Sequence, residues 1–352
     1  VPYFRILTRA DKREGILIHK YQYLPRSGES SSAGVSCPIL FTHYGFSDYL
    51  PYTLACASKT NQETTRIFLG DELNRSVAQK YGWVHYETMA FTSPKLEKFQ
   101  SVFRHIRGRD HGVITNGQDW LRYVFARWFY LEEFLRRQKI ERFWHFDTDT
   151  MILDDLRKWV ARINFDFTTQ CNGTCLNGLI RTEVVSEFND HTIRLFQTRD
   201  FLKAQEAYVR DHPGHSFNEM TAFHEYQKSS PRHGVHLMRW SEMEVFDDYL
   251  RQDHGFEMHT LPTHDGKGCQ IKMIRKDTDG FYGIRQGKSV RFLSLNLSHT
   301  NKALFKWVLA SLPRPHAHLG EIRRSKTKEA LKKARVFLRK AIYEFWTSIG
   351  HS

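Results

Sequence analysis

Two carboxylates, Asp147 and Asp149, stand one residue apart in an otherwise apolar stretch, between Phe143-Trp-His-Phe146 and Met151-Ile-Leu153. Burying such charges is costly unless a cation or hydrogen-bond donors meet them. A turn at a strand end places two carboxylates about one ion, and hard cations such as Mg²⁺ and Mn²⁺ take one or two carboxylates together with substrate phosphates. An ion held this way stabilises the negative charge that grows on a departing diphosphate. Asp-x-Asp also arises by chance on loops and helix caps, and the apolar flanks are what favour metal binding here.

The carboxylates need a scaffold. Pro38-Ile-Leu-Phe-Thr-His-Tyr-Gly45 is a short apolar run stopped by glycine and followed by helical spacing through Tyr52, Leu54 and Ala57. That predicts a buried strand feeding a helix. Arg66-Ile-Phe-Leu-Gly-Asp71 leads likewise into a helix over 72–81, and Trp83-Val-His-Tyr-Glu87 reads as a third strand. Residues 94–116 read as a charged, solvated helix and loop. Leu121, Phe125, Phe129, Leu131 and Phe134 recur near helical spacing over 119–139, and residues 140–146 form a strand that runs straight into Asp147. Further strands are predicted near 165–169 and 290–297 and a helix over 217–227, while the chain beyond Cys171 otherwise reads as irregular. Alternating strands and helices imply an α/β fold with a mostly parallel mixed sheet flanked by helices, its ligands gathered at the carboxyl ends of the strands.

At 40% hydrophobic and 14% aromatic over 352 residues, the composition is that of a folded chain. The net charge of +13 calls for an anionic partner or surface. Five cysteines are odd in number and too sparse for a disulfide framework, which fits a reducing compartment. Cys171 and Cys175 have no second Cys/His pair at finger spacing to complete a zinc site. No Gly-x-Ser-x-Gly, P-loop or Gly-x-Gly-x-x-Gly pattern occurs, which argues against a serine hydrolase, a Walker ATPase and a Rossmann dehydrogenase.

The order Leu40-Phe-Thr-His-Tyr-Gly45, Ile67-Phe-Leu-Gly-Asp71, Arg127-Trp-Phe-Tyr-Leu-Glu-Glu-Phe134 and Phe146-Asp-Thr-Asp149 resembles metal-dependent GT-A glycosyltransferases, in particular bacterial and large-virus enzymes that build surface glycans. The resemblance spans roughly 36–312, is firm through Leu153 and loose afterwards. It implies a GT-A catalytic domain over 36–312, a lead-in segment over 1–35 and a basic amphipathic helix within 313–352.

The resemblance further implies a Mn²⁺ or Mg²⁺ ion held by Asp147 and Asp149. Tyr44 would stack on the nucleoside, Asp71 would hydrogen-bond it, and Arg127 would approach the donor phosphates or sugar, with Asp147 and Thr148 also on the donor side. Ordinary packing, a helix N-cap and a surface ion pair are the competing readings for Tyr44, Asp71 and Arg127 respectively. Similar enzymes supply a late metal ligand from a His-x-x-Gly-x-x-Lys-like segment. Here Asn296 stands in the His position and His299 in the Gly position, so either is a candidate ligand, His299 preferred, and Lys302 would neutralise phosphate as a point charge.

On the acceptor side, Cys171-Asn-Gly-Thr-Cys-Leu-Asn-Gly178 resembles the small-residue loop under the donor sugar, with Asn177 and Gly178 as contacts. Phe217-Asn-Glu-Met-Thr221 resembles an acidic-Met-Thr segment, making Glu219 the candidate general base of an inverting reaction. Asp247 and Asp248 stand in reserve, Asp247 as an acceptor contact. His43, His145, His224 and His236 read as core or surface histidines.

Between Glu321 and Phe345 nine Lys or Arg face three Glu, and Leu331, Leu338, Ile342, Phe345 and Ile349 recur at helical intervals. This is a cationic amphipathic pattern suited to an anionic membrane surface or to docking on the catalytic domain. The expected partners are a nucleotide sugar, a UDP-sugar first, and a glycan or lipid-linked acceptor, with no nucleic acid. The expected location is cytoplasmic and peripheral on a membrane, or the Golgi lumen if an upstream anchor has been removed. Competing functions are a metal-dependent nucleotidyl- or phosphotransferase and a non-catalytic protein that binds membrane or polyanion.

Overall fold

The computed structural model describes residues 37–110, 117–239, 241–261 and 268–312. The lead-in over 1–35 and the basic helix expected within 313–352 lie outside the described residues. Strand β1 (Ile39–Thr42) leads into helix α1 (Leu50–Thr60), β2 (Arg66–Gly70) into α2 (Glu72–Lys80), and β3 (Val84–Glu87) into α3 (Pro94–Val102) and the long α4 (Gly117–Gln138). Next come β4 (Arg142–His145), β5 (Thr150–Ile152), α5 (Arg157–Val160), β6 (Phe167–Gln170) and β7 (Cys175–Arg181), then α6 (Thr182–Gln197), α7 (Arg199–Asp211) and α8 (Glu219–Ser229). The last third holds β8 (Gly234–His236), β9 (Glu244–Phe246), β10 (Met258–Leu261), β11 (Cys269–Lys272), β12 (Arg275–Lys276), β13 (Phe281–Arg285), β14 (Lys288–Asn296) and α9 (Lys302–Ser311).

The central sheet has the order β3-β2-β1-β4-β7-β6-β8. Its pairings are parallel except at β7, which runs antiparallel to both β4 and β6. Alternation along each strand splits the core in two, as expected of a sheet covered on both faces. Leu40, Leu69, Phe143 and Ile180 face α3, α4 and α6, where Phe99, Phe125, Phe129 and Phe188 meet them. Phe41, Phe68, Trp144 and Leu179 face Leu50, Leu54 and Ala57 of α1. Each such large side chain contributes about 1.5–3 kcal/mol by leaving water. The mixed α/β fold with a mostly parallel sheet and flanking helices is thus the architecture expected from the sequence.

A second sheet, β12-β13-β14-β5 with β9 beside β14, packs against α1 and α9 through Met151, Phe292, Leu295 and Phe305. Its long strand β14 pairs antiparallel with β5, Asn296 opposite Thr150, and the Leu297 amide donates to the Asp149 carbonyl at 3.0 Å. The late segment therefore does reach the acidic turn. Among the described residues no helix is long and apolar enough to cross a membrane.

Candidate active site

Because β1 and β4 are parallel neighbours, with Leu40 opposite His145, their carboxyl ends open on the same edge of the sheet. β1 delivers His43, Tyr44 and Gly45 there, and β4 delivers Asp147, Thr148 and Asp149. The antiparallel β7 adds Asn177 from its amino end, since Gly178 lies opposite His145. Two helices complete the cluster. Arg127 comes from the middle of α4, and Glu219 opens α8, whose cap Asn218 accepts from the Thr221 amide at 3.2 Å.

Arg127 is the hub. Nη1 donates to Asp147 Oδ1 at 2.9 Å and Nη2 to Glu219 Oε1 at 3.2 Å, with the guanidinium carbon 5.3 Å from the Trp128 ring centroid. Burial alone would favour its neutral form, but Asp147 and Glu219 outweigh that and raise its pKa. The second oxygen of Asp147 accepts from Asn177 Nδ2 at 3.2 Å, and Asn177 Oδ1 accepts from His145 Nδ1 at 3.2 Å. Burial pushes the Asp147 carboxyl up, yet Arg127, His145 and Asn177 together hold it below the usual range. Burial, with Arg127 adding to it, pushes His145 down to about 4, so it is a neutral donor at pH 7.

Asp149 and Glu219 are different. Asp149 Oδ1 and Glu219 Oε2 are both buried with no hydrogen-bond partner. Burial and the Asp147 charge push Asp149 up to about 7 despite a hydrogen bond from Ser298. Burial likewise lifts Glu219 to about 7, against the pull of Arg127. Two carboxyls poised near neutrality beside an ionised third are the pattern that marks functional sites.

The open oxygens give a fit test for a cation. Asp149 presents a buried, unpartnered oxygen of the hard type that Mg²⁺ and Mn²⁺ take. Among the described residues no three His, Cys, Asp or Glu side chains are grouped to hold a metal. The set therefore fits an ion on the acidic pair whose remaining ligands come from a bound phosphate and water, not an all-protein cage. Asp149 would be the main ligand, since both Asp147 oxygens already accept hydrogen bonds.

The structure sorts the other expected residues. Thr148 is buried, bonded to His43 Nδ1 at 2.8 Å and within 3.5 Å of the Tyr49 hydroxyl. Tyr44 is 57% exposed and lies 5.0 Å from the Tyr123 ring, a flat face at the mouth of the cluster. Asp71 is the N-cap of α2 in a reciprocal box with Asn74, and its Oδ2 accepts from the Gly45 amide at 2.5 Å. Asp71 thus acts on the loop that carries Tyr44.

Several expectations need correction. Asp247 is fully buried, with Lys272 Nζ at 2.7 Å and the Asn296 amide on its other oxygen, so it ties the end of β11 to the end of β14 and has both oxygens engaged within the fold. Asn296 spends its amide on the Asp248 carbonyl and the Ser298 N–H, at 3.0 and 3.1 Å, where it shapes the turn after β14. His299, at φ 57°, faces the Tyr249 ring at 6.4 Å and joins no metal-binding group. It is Ser298, not Asn296 or His299, that reaches Asp149. Lys302 opens α9 and pairs with Asp48 at 3.2 Å, 48% exposed. Gly178 has φ 94°, and a Cβ there would lie 2.1 Å from Thr168 Oγ1, so its glycine serves sheet packing.

Sequence reasoning passed over His43. It stands in the site beside Thr148, pushed down to about 4 by burial and kept neutral. Its position directly after the first strand was the available signal.

No family model and no curated protein matches the chain. Similar solved structures include a cytidylyltransferase from Leptospira borgpetersenii serovar Hardjo-bovis (strain JB197), 12% identical at a TM-score of 0.31, covering 58% of this chain and 76% of that one. Another is the PaToxG glycosyltransferase, 11% identical at a TM-score of 0.33, covering 55% of this chain and 70% of that one. Likenesses this distant leave the chemistry to be argued from the residues themselves.

Proposed function

We propose that the chain is a glycosyltransferase of GT-A type that moves a sugar from a nucleotide sugar, a UDP-sugar first, to a hydroxyl of a glycan or lipid-linked acceptor. The observation that carries this reading is the pair of buried, unpartnered carboxylate oxygens, one on Asp149 and one on Glu219, whose other oxygen meets Arg127. One belongs to a strand-end acidic pair suited to a cation on a diphosphate, the other to a carboxyl suited to taking a proton.

Asp149, with Asp147 beside it, would hold Mn²⁺ or Mg²⁺, which when bound would supply Lewis-acid stabilisation for the leaving diphosphate. Arg127 adds a fixed positive charge within the same site, preorganised by its two carboxylates. Tyr44 offers its ring to the base, and Asp71 keeps that loop in place through Gly45. Glu219 Oε2 accepts the proton of the acceptor hydroxyl as its oxygen bonds the anomeric carbon and the carbon–oxygen bond to the diphosphate breaks. A carboxyl near pH 7 is well matched to that task. Direct displacement inverts the anomeric centre.

A screen of nucleotide sugars with Mn²⁺ for thermal stabilisation, followed by product analysis of the hit, tests the reading. Nucleoside diphosphate release and an inverted glycoside are expected. Release of pyrophosphate would reassign the site to nucleotidyl transfer, and no stabilisation by any nucleotide sugar would remove the proposal.

A further inference from the structure

A pocket of about 470 Å³ lies on the other side of the β6–β7 turn from Arg127, against the edge strand β8. That volume is within the range of about 300–1,000 Å³ typical of small-ligand sites. The turn is a shared wall. Asn172 and Gly173 line the pocket, while Thr174 and Cys175 line the small cavity beside Arg127 and Glu219. Helix α8 is shared in the same way, giving Gln227 to the pocket and Glu219 to the cavity. Eight residues separate the two, about 12 Å along the helix at ~1.5 Å per residue.

The lining is rich in groups that bond hydroxyls. Thr169, Asn172, Gln227, His236, His254 and Arg285 carry polar side chains, and only Val235 and Met238 are aliphatic. An acyl chain would need a predominantly apolar wall. His236 and His254 line the pocket beside Asp248, and the Nδ1 of each ring is buried without a hydrogen-bond partner.

The wall is also rigidly built. Asp248, fully buried, accepts from the Asn172 amide at 2.7 Å and lies 3.0 Å from His236 Nε2 and 3.5 Å from His254 Nε2. Asn172 Oδ1 is in turn 3.1 Å from His254 Nε2. These contacts hold Cys171, Asn172 and Gly173 at φ 56°, 56° and 87°, left-handed conformations that persist only when surroundings enforce them.

We infer that this pocket binds a carbohydrate chain, and that the chain is the acceptor, threaded past the β6–β7 turn so that its end hydroxyl meets Glu219. The separation of about 12 Å calls for an oligosaccharide rather than a single sugar. The acceptor role rests on the transfer reading above, whereas the carbohydrate binding does not.

Labelled full-length chain is applied to an array of neutral and acidic oligosaccharides without nucleotide or metal. Retention of an oligosaccharide series is expected, with Gln227→Trp, which fills the pocket, weakening it more than tenfold. A cooperative thermal melt at the parent temperature checks that Gln227→Trp is folded. Should that variant fail to fold, Gln227→Ala is expected to lose about fivefold. No retained oligosaccharide, or equal retention by the pocket variants, overturns the inference. Retention that Gln227→Trp abolishes, in a chain that no nucleotide sugar stabilises, keeps the pocket as a carbohydrate site and removes the transfer reading.

Discussion

Arg127 stands 2.9 Å from Asp147, and this pair ties the middle of α4 to the turn that follows β4. Removing one partner of a fully buried ion pair costs about 3–5 kcal/mol. Asp147 is 29% exposed and keeps its Asn177 donor, so Arg127→Ala should lower the unfolding free energy by less, about 1–3 kcal/mol in a urea titration. The double variant Arg127→Ala/Asp147→Asn should recover part of the loss, because the stranded charge is gone. Strict additivity of the two substitutions would mean that the pair is not coupled.

Asp149 has the opposite character: one of its oxygens is buried without a partner, and Ser298 rather than a cationic side chain bonds the carboxyl. Asp149→Asn should abolish turnover while leaving the melting temperature equal or higher, since it removes a buried charge that Asp147 repels. Paired activity assays and thermal melts decide this. Retained activity, or a marked fall in melting temperature, contradicts the assignment.

Asp71 separates two roles once read as rivals. As an N-cap, its replacement by Ala should cost about 0.5–2 kcal/mol. Because its other oxygen anchors Gly45, the same variant should also weaken UDP binding by loosening Tyr44. Calorimetric titration with UDP and Mn²⁺ alongside unfolding reads both, and Asp71→Asn should keep more of the cap than Asp71→Ala.

Glu133, on α4, accepts from Arg136 at 2.8 and 2.7 Å and from Arg137 at 2.7 Å. Arg136 first, and Arg137 with it, pull its carboxyl down to about 2 against the effect of burial. A depressed carboxyl stabilises the fold above its unfolded pKa near 4.5 and loses that contribution as pH falls toward 2. Both arginines are well exposed, so the effect at pH 7 should be about 1 kcal/mol or less. Glu133→Gln should be less stable than the parent at pH 7 and converge with it on acidification; a gap that stays constant down to pH 2 would exclude this linkage.

Much of the fold was legible because its signals were local. Apolar runs closed by Gly45, Asp71 and Asp147 mark β1, β2 and β4, and the spacing of Phe125, Phe129 and Phe134 marks α4. β7 was illegible for a physical reason. Cys175-Leu-Asn-Gly178 looks like a loop because Asn177 is committed to Asp147 and Gly178 to the space beside Thr168, so neither carries a strand-like side chain. The periodic apolar positions of α6, Val184, Val185, Phe188, Ile193 and Phe196, were readable but lay in a stretch that otherwise reads as irregular. Asp247 could not be read, because its partner Lys272 lies 25 residues further on and only the fold, which sets β11 beside the segment after β9, brings them together.

The reversed direction of β7 within its parallel surroundings has an evolutionary consequence. Successive residues of a strand face opposite sides, so a one-residue insertion or deletion in β7 would exchange the surroundings of Asn177 and Gly178. The amide would be driven toward Thr168 and Leu237, and Asp147 would lose a donor. Length changes in homologues should accordingly be absent from this strand and accumulate where backbone is not committed on both sides.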